Sequence, residues 1–98
     1  MVIVGRSFEF DPSKREQFLA SRVDMMCNSR AEAGCLEYTF ADNPIDPTRV
    51  VLYERWESQA HLEAHLAAMQ GAPKRPDEVA PISSSISIYD VAGEHPLG

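Results

Sequence analysis

The chain has 98 residues, 9 Lys+Arg against 15 Asp+Glu, and a formal net charge of −6. That length suits one domain with a small core rather than two domains. The acidic balance, with no basic run longer than Lys74-Arg75, excludes the basic footprint that nucleic acid or an anionic membrane surface requires.

No apolar run approaches the roughly 18–20 residues of a membrane-crossing helix. Met1-Val2-Ile3-Val4-Gly5-Arg6 has neither a basic leader nor a long hydrophobic stretch, so no signal peptide is expected. Cys27 and Cys35 lack metal-ligand or redox spacing, and no His/Cys cluster is present. Neither a disulfide framework nor a metal site is expected, and the expected setting is a reducing cytoplasm.

Val2 to Phe10 alternates with period two, Val2, Val4, Phe8 and Phe10 sharing one face with Arg6, which predicts a strand. A helix follows. Either Asp11 caps it with Pro12 in the first turn, or Ser13 caps it with Glu16 closing a capping box. The spacing carries this helix to about Glu32, and Gly34 suits a left-handed stop. Phe18, Arg22, Met25, Met26 and Ser29 share one arc of it, so Arg22 interrupts an otherwise apolar stripe. Cys35 to Asp42 predicts a second strand, with Leu36, Tyr38 and Phe40 on one face. Asn43 to Pro47 is a turn. Arg49 to Glu57 is a third strand with faces Val50/Leu52/Glu54/Trp56 and Val51/Tyr53/Arg55. Ser58 is the expected cap of a second helix whose inner stripe is Leu62, His65, Leu66 and Met69. Gln70 to Pro81, rich in Pro and Gly, reads as a long loop, either mobile or a lid. Ile82 to Val91 alternates again as a fourth strand, and residues 92–98 form a tail.

The order β-α-β, β-α-β is that of an α+β ferredoxin-like fold: four antiparallel strands with helices on one face, over residues 2–91. The other sheet face then exposes apolar side chains, and a second copy is the expected cover. A homodimer packed through its sheet faces, a dimeric α/β barrel, is therefore expected.

Ala33-Gly34-Cys35-Leu36-Glu37-Tyr38, Val51-Leu52-Tyr53-Glu54-Arg55-Trp56-Glu57-Ser58 and Leu62-Glu63-Ala64-His65-Leu66 together resemble the antibiotic biosynthesis monooxygenase family, across about residues 2–91. The resemblance implies a small dimeric ferredoxin-like protein. It also implies a choice of activities: cofactor-independent oxygenation of quinols or anthrone-like polyketides, haem degradation, or isomerase-like chemistry. Two departures matter. Ala33 replaces a proline usual in the family, and no second His follows His65 in Ala67-Ala68-Met69-Gln70-Gly71-Ala72. The residues at Gly5-Arg6 and His65 also depart from the haem-degrading pattern.

Several residues are candidates for chemistry. His65 is either a pocket base for a phenol or a histidine satisfied in the core. Arg22 either pairs with Glu37 or Glu54, reaches water, or stabilises an oxyanion in a pocket. Trp56 suits core packing or the wall of an aromatic site, and Tyr38 and Tyr53 share that ambiguity. Ser7 and Ser29 are weaker polar candidates. Cys35 reads as a small strand hydrophobe. The expected function is a monooxygenase that needs no cofactor and acts on a small hydrophobic or aromatic phenol, quinol or polyketide. The alternatives are a non-catalytic dimeric ligand-binding or stress-related module, or an isomerase acting on a small oxygenated metabolite.

Overall fold

The computed structural model describes residues 1–72 and 79–98. The element order is β1 (Val2–Glu9), α1 (Arg15–Ser21), α2 (Val23–Arg30), β2 (Cys35–Asp42), β3 (Arg49–Trp56), α3 (Gln59–Gly71) and β4 (Ser83–Asp90). The strands pair in the order β2-β3-β1-β4, every pair antiparallel. This is the expected ferredoxin-like arrangement, and within one chain the sheet is open rather than closed into a barrel.

Register fixes which side chains meet. One row across the helix side of the sheet is Tyr38, Glu54, Val4 and Ile88, and the next is Phe40, Leu52, Arg6 and Ile86. Because side chains alternate along a strand, the opposite face carries Thr39, Tyr53, Gly5 and Ser87, then Ala41, Val51, Ser7 and Ser85. The core lies on the helix side. Phe8, Phe10, Phe18 and Phe40 form an aromatic cluster, with the Phe10 and Phe18 rings 4.4 Å apart. Val2, Val4, Val50, Leu52, Trp56 and Leu62 extend it.

The first helix differs from its sequence reading in two ways. It is interrupted at Arg22, whose backbone (φ −99, ψ −3) joins α1 to α2. There Arg22 N–H donates to the Leu19 carbonyl, an i−3 step, and Ser21 Oγ donates to the Phe18 carbonyl at 2.6 Å. A serine hydroxyl competing for a helical carbonyl is a local cause of such a break. The start also lies later than either expected cap: Lys14 is the N-cap, with no side-chain capping bond, and Asp11 Oδ1 instead accepts from Ser13 N–H and Oγ–H in the preceding turn.

In β2 a bulge between Cys35 and Glu37 turns Leu36 outward, so Leu36 does not share the buried face of Tyr38 and Phe40. Ser58 caps α3 as expected, its Oγ accepting from His61 N–H. That helix runs through Gly71, so the following loop starts later than Gln70. The expected lid falls largely on residues 73–78, outside the described residues. Among those described, no helix is long and apolar enough to cross a membrane.

Candidate functional site

Between the sheet and the helices lies a cavity with two lobes that share Arg6, Tyr38, Leu52 and Met69. The larger, about 500 Å³, is walled by Phe8, Phe18, Phe40 and Arg22. The smaller, about 320 Å³, contains Glu54 and His65. These volumes fall in the roughly 300–1,000 Å³ range of small-molecule sites. Leu66 and Met69 border the opening, which is why they are more exposed than an inner helical stripe would be.

His65 is held from both sides. The α3 helix carries it over the sheet, where it is 3% exposed. Its Nδ1–H donates to Glu32 Oε2 at 2.7 Å, since a carboxylate can only accept. Its Nε2 lies 3.8 Å from Glu54 Oε1. The Trp56 and Tyr38 rings flank it, with centroids 4.7 and 5.4 Å away. Glu54 is itself buried and accepts from Trp56 Nε1–H at 3.0 Å. Burial raises the Glu54 carboxyl above the usual carboxylate value, opposed by the Trp56 hydrogen bond and by the charges of His65 and Arg6. The Tyr38 hydroxyl, whose oxygen is 3.6 Å from Met25 Sδ, is pushed far above the ordinary phenol value, chiefly by burial.

The candidate residues separate by location. His65, Tyr38 and Arg22 line the cavity. Arg22 places its guanidinium over the Phe18 ring, 4.7 Å from the centroid. Trp56 is fully buried and packs against His65, and it is not part of the cavity lining. Ser7 and Tyr53 are on the opposite face of the sheet, because strand alternation points them away from the helices. Glu37 is also outside the site, accepting from Tyr38 N–H and Thr39 Oγ–H and lying 3.7 Å from Arg30. Ser29 is buried on the sheet-facing side of α2, in hydrogen-bond reach of Tyr38. The Cys35 thiol is pushed up by burial and then by Glu32, Glu54 and Glu37, the reverse of what activates a nucleophile.

Two groups were missing from the sequence candidates: Arg6 and Glu32. Arg6 stands on the cavity floor with its guanidinium 4.6 Å from the Phe8 ring centroid. Its signal in the sequence was a charge on the otherwise apolar face of β1. Glu54, expected from the sequence as an ion-pair partner for Arg22, breaks the face of β3 in the same way and lines the smaller lobe. Glu32 had no such signal, since the loop geometry alone brings it to His65. Among the described residues, no group of three or more His, Cys, Asp or Glu is placed to hold a metal ion.

Comparison with known proteins agrees with this architecture. A Synechocystis protein of uncharacterised function is 28% identical over 94 residues, covering 93% of this chain. The chain spans 63% of that relative's length. The Bacillus subtilis protein YcnE, which carries a provisional monooxygenase name, is 28% identical over 65 residues, covering 66% of this chain and 68% of its own. A Deinococcus radiodurans structure provisionally named an antibiotic biosynthesis monooxygenase superposes with a TM-score of 0.75 at 19% identity, covering 100% of this chain and 99% of that one. The haem-degrading protein MhuD of Mycobacterium tuberculosis, solved with two haems in its active site, shares the fold at a TM-score of 0.71 and 15% identity, covering 98% of this chain and all of that one. The family model for antibiotic biosynthesis monooxygenase matches residues 1–70. With most of its length matched, from β1 almost to the end of α3, the chain belongs to the antibiotic biosynthesis monooxygenase family.

Proposed function

We propose that this protein is a cofactor-independent monooxygenase of a small, hydrophobic phenol, quinol or polyketide. The observation that carries the proposal is the Glu32–His65 hydrogen bond at the edge of an apolar cavity. By accepting the hydrogen bond from Nδ1–H, Glu32 fixes the tautomer in which Nε2 carries the lone pair, and it stabilises the imidazolium formed when Nε2 accepts a proton. Glu54, 3.8 Å from Nε2, adds a second carboxyl on that side. A substrate hydroxyl in the smaller lobe transfers its proton to Nε2. The anion, held in a lobe lined mostly by aliphatic side chains and Tyr38, is electron-rich enough to reduce O₂ directly. A CH₂ or quinol carbon is oxidised, one oxygen atom enters the product as a carbonyl, and the other leaves as water: RH₂ + O₂ → R=O + H₂O. Arg22, on the wall of the larger lobe, supplies positive charge for the developing oxyanion.

Haem fits the described residues less well. His65 has one nitrogen bonded to Glu32 and the other facing Glu54. His61 Nδ1 lies 2.7 Å from Ser58 Oγ, outside the cavity lining.

Oxygen uptake with hydroquinones, naphthols and anthrones tests the reading. The wild type is expected to exceed the His65→Ala, Arg22→Ala double variant for at least one class. Glu32→Gln is expected to lose tens- to hundreds-fold in kcat with little change in KM, in keeping with the usual worth of a positioned base. Equal rates for wild type and double variant across all three classes would sink the mechanism.

A further inference from the structure

We propose that the larger lobe is a subsite for the carboxylate of an aromatic acid, with Arg6 as the residue that receives it. This rests on the reading that the cavity holds the substrate, and it names the substrate class.

Arg6 lies in the central strand β1, cross-strand from Leu52 and Ile86, and faces the helices. Its guanidinium stacks on Phe8. Stacking uses the flat face of the group and leaves its N–H donors directed outward in plane, the geometry that grips a carboxylate with two parallel bonds. Its Nε is buried and has no hydrogen-bond partner. Among the described residues Arg6 also makes no salt bridge. Buried donors of this kind are normally satisfied, and the terminal nitrogens of the same guanidinium, at the cavity lining and with no hydrogen-bond or ion-pair partner among the described residues, are where a ligand acceptor belongs.

The surroundings have the matching polarity. Arg22 adds a second cation over Phe18, whose ring lies 5.5 Å from that of Phe8. Arg22 has contacts of its own, so the carboxylate is assigned to Arg6. No carboxylate lines the larger lobe among the described residues, although the chain as a whole carries −6. The remaining lining is aromatic or aliphatic, which suits a flat ring. Glu54 sits in the smaller lobe. An aromatic acid therefore enters with its carboxylate at Arg6 and its neutral, proton-bearing end toward His65, since the reverse orientation would set two carboxylates against each other.

The test is anaerobic calorimetric titration of the full chain at pH 7 with 2-naphthoate and with 2-naphthol, equally sized rings of which only the first is anionic there. Naphthoate is expected to bind at least roughly tenfold more tightly. Arg6→Met is expected to remove that advantage of naphthoate over naphthol, and Arg6→Lys to restore part of it. Naphthoate binding no tighter than naphthol, or none, overturns the proposal on wild-type protein alone, even where a variant does not fold. Unchanged naphthoate binding by a folded Arg6→Met variant overturns it too. Neither readout involves turnover. A carboxylate preference without oxygen uptake would therefore count against the oxygenase reading only, whereas uptake with neutral phenols and no preference would count against the subsite only.

Discussion

A buried glutamate sits among a histidine, a tryptophan and a tyrosine in this protein, and its ionisation bears on stability as well as on chemistry. Glu54 has a raised carboxyl pKa in the folded chain. The groups that face it are Trp56 on its own strand, Arg6 from β1, Tyr38 from β2, Glu32 from the loop before β2, and His65 from α3. A raised folded pKa means that the group favours folding fully below its unfolded value and that this contribution is lost as pH rises through the folded value. Above that folded value the ionised carboxylate therefore costs stability. Glu54→Gln, which keeps an acceptor for the Trp56 indole, is expected to melt a few degrees higher than wild type at pH above that folded value. The gap should close as pH falls through the carboxylate range in calorimetry. A gap that widens on acidification would contradict the burial argument.

The same residue explains what was legible in the sequence. His65 and Arg22 stood out because each interrupts an apolar helical stripe. Arg6 and Glu54 interrupt apolar strand faces by the same logic, so their pattern was visible although their meeting across the sheet was not. That meeting depends on register, Val4 opposite Glu54 and Arg6 opposite Leu52, which one strand's sequence does not state. Ser7 and Tyr53 show the converse: their alternation already placed them with the outward set.

At the scale of elements, the strands and α3 were legible because period two, turn residues and a serine cap all agreed. The break at Arg22 was not, since a continuous helical period predicts the same arc whether or not the helix is interrupted. Gly34 is the joint that matters most. It adopts φ +79, and a Cβ there would sit 2.2 Å from His61 Cγ and 2.7 Å from its Cβ. Its carbonyl also accepts from Glu57 N–H at 2.8 Å. The loop holding Glu32 thus docks against the first turn of the helix holding His65. Left-handed backbone costs an L-residue roughly 1–2 kcal/mol, and displacing His61 adds to that. Gly34→Ala is expected to lose at least about 2 kcal/mol, a fall in Tm of roughly 8 °C or more for a domain of this size. Thermal melts check this, and an unchanged Tm would show that α3 can dock elsewhere.

For the whole molecule, the sheet has one face under helices and one without cover. The uncovered face presents Val51, Tyr53 and Tyr89, each 40–58% exposed, alongside Ile3 and a row of serines. We infer that two copies pack through it. Light scattering is expected to give twice the 10.9 kDa chain mass, and Tyr53→Asp to shift it toward one chain. A wild-type protein that stays monomeric at micromolar concentration would refute the pairing. The cavity lies on the far side of the sheet from that face. Pairing through that face therefore sets two cavities back to back, with the sheets between them. If the proposed oxygenase reading holds, the two sites are expected to work in parallel rather than in concert: a mixed dimer of intact and His65→Ala chains is expected to turn over at half the intact rate, with hyperbolic substrate saturation.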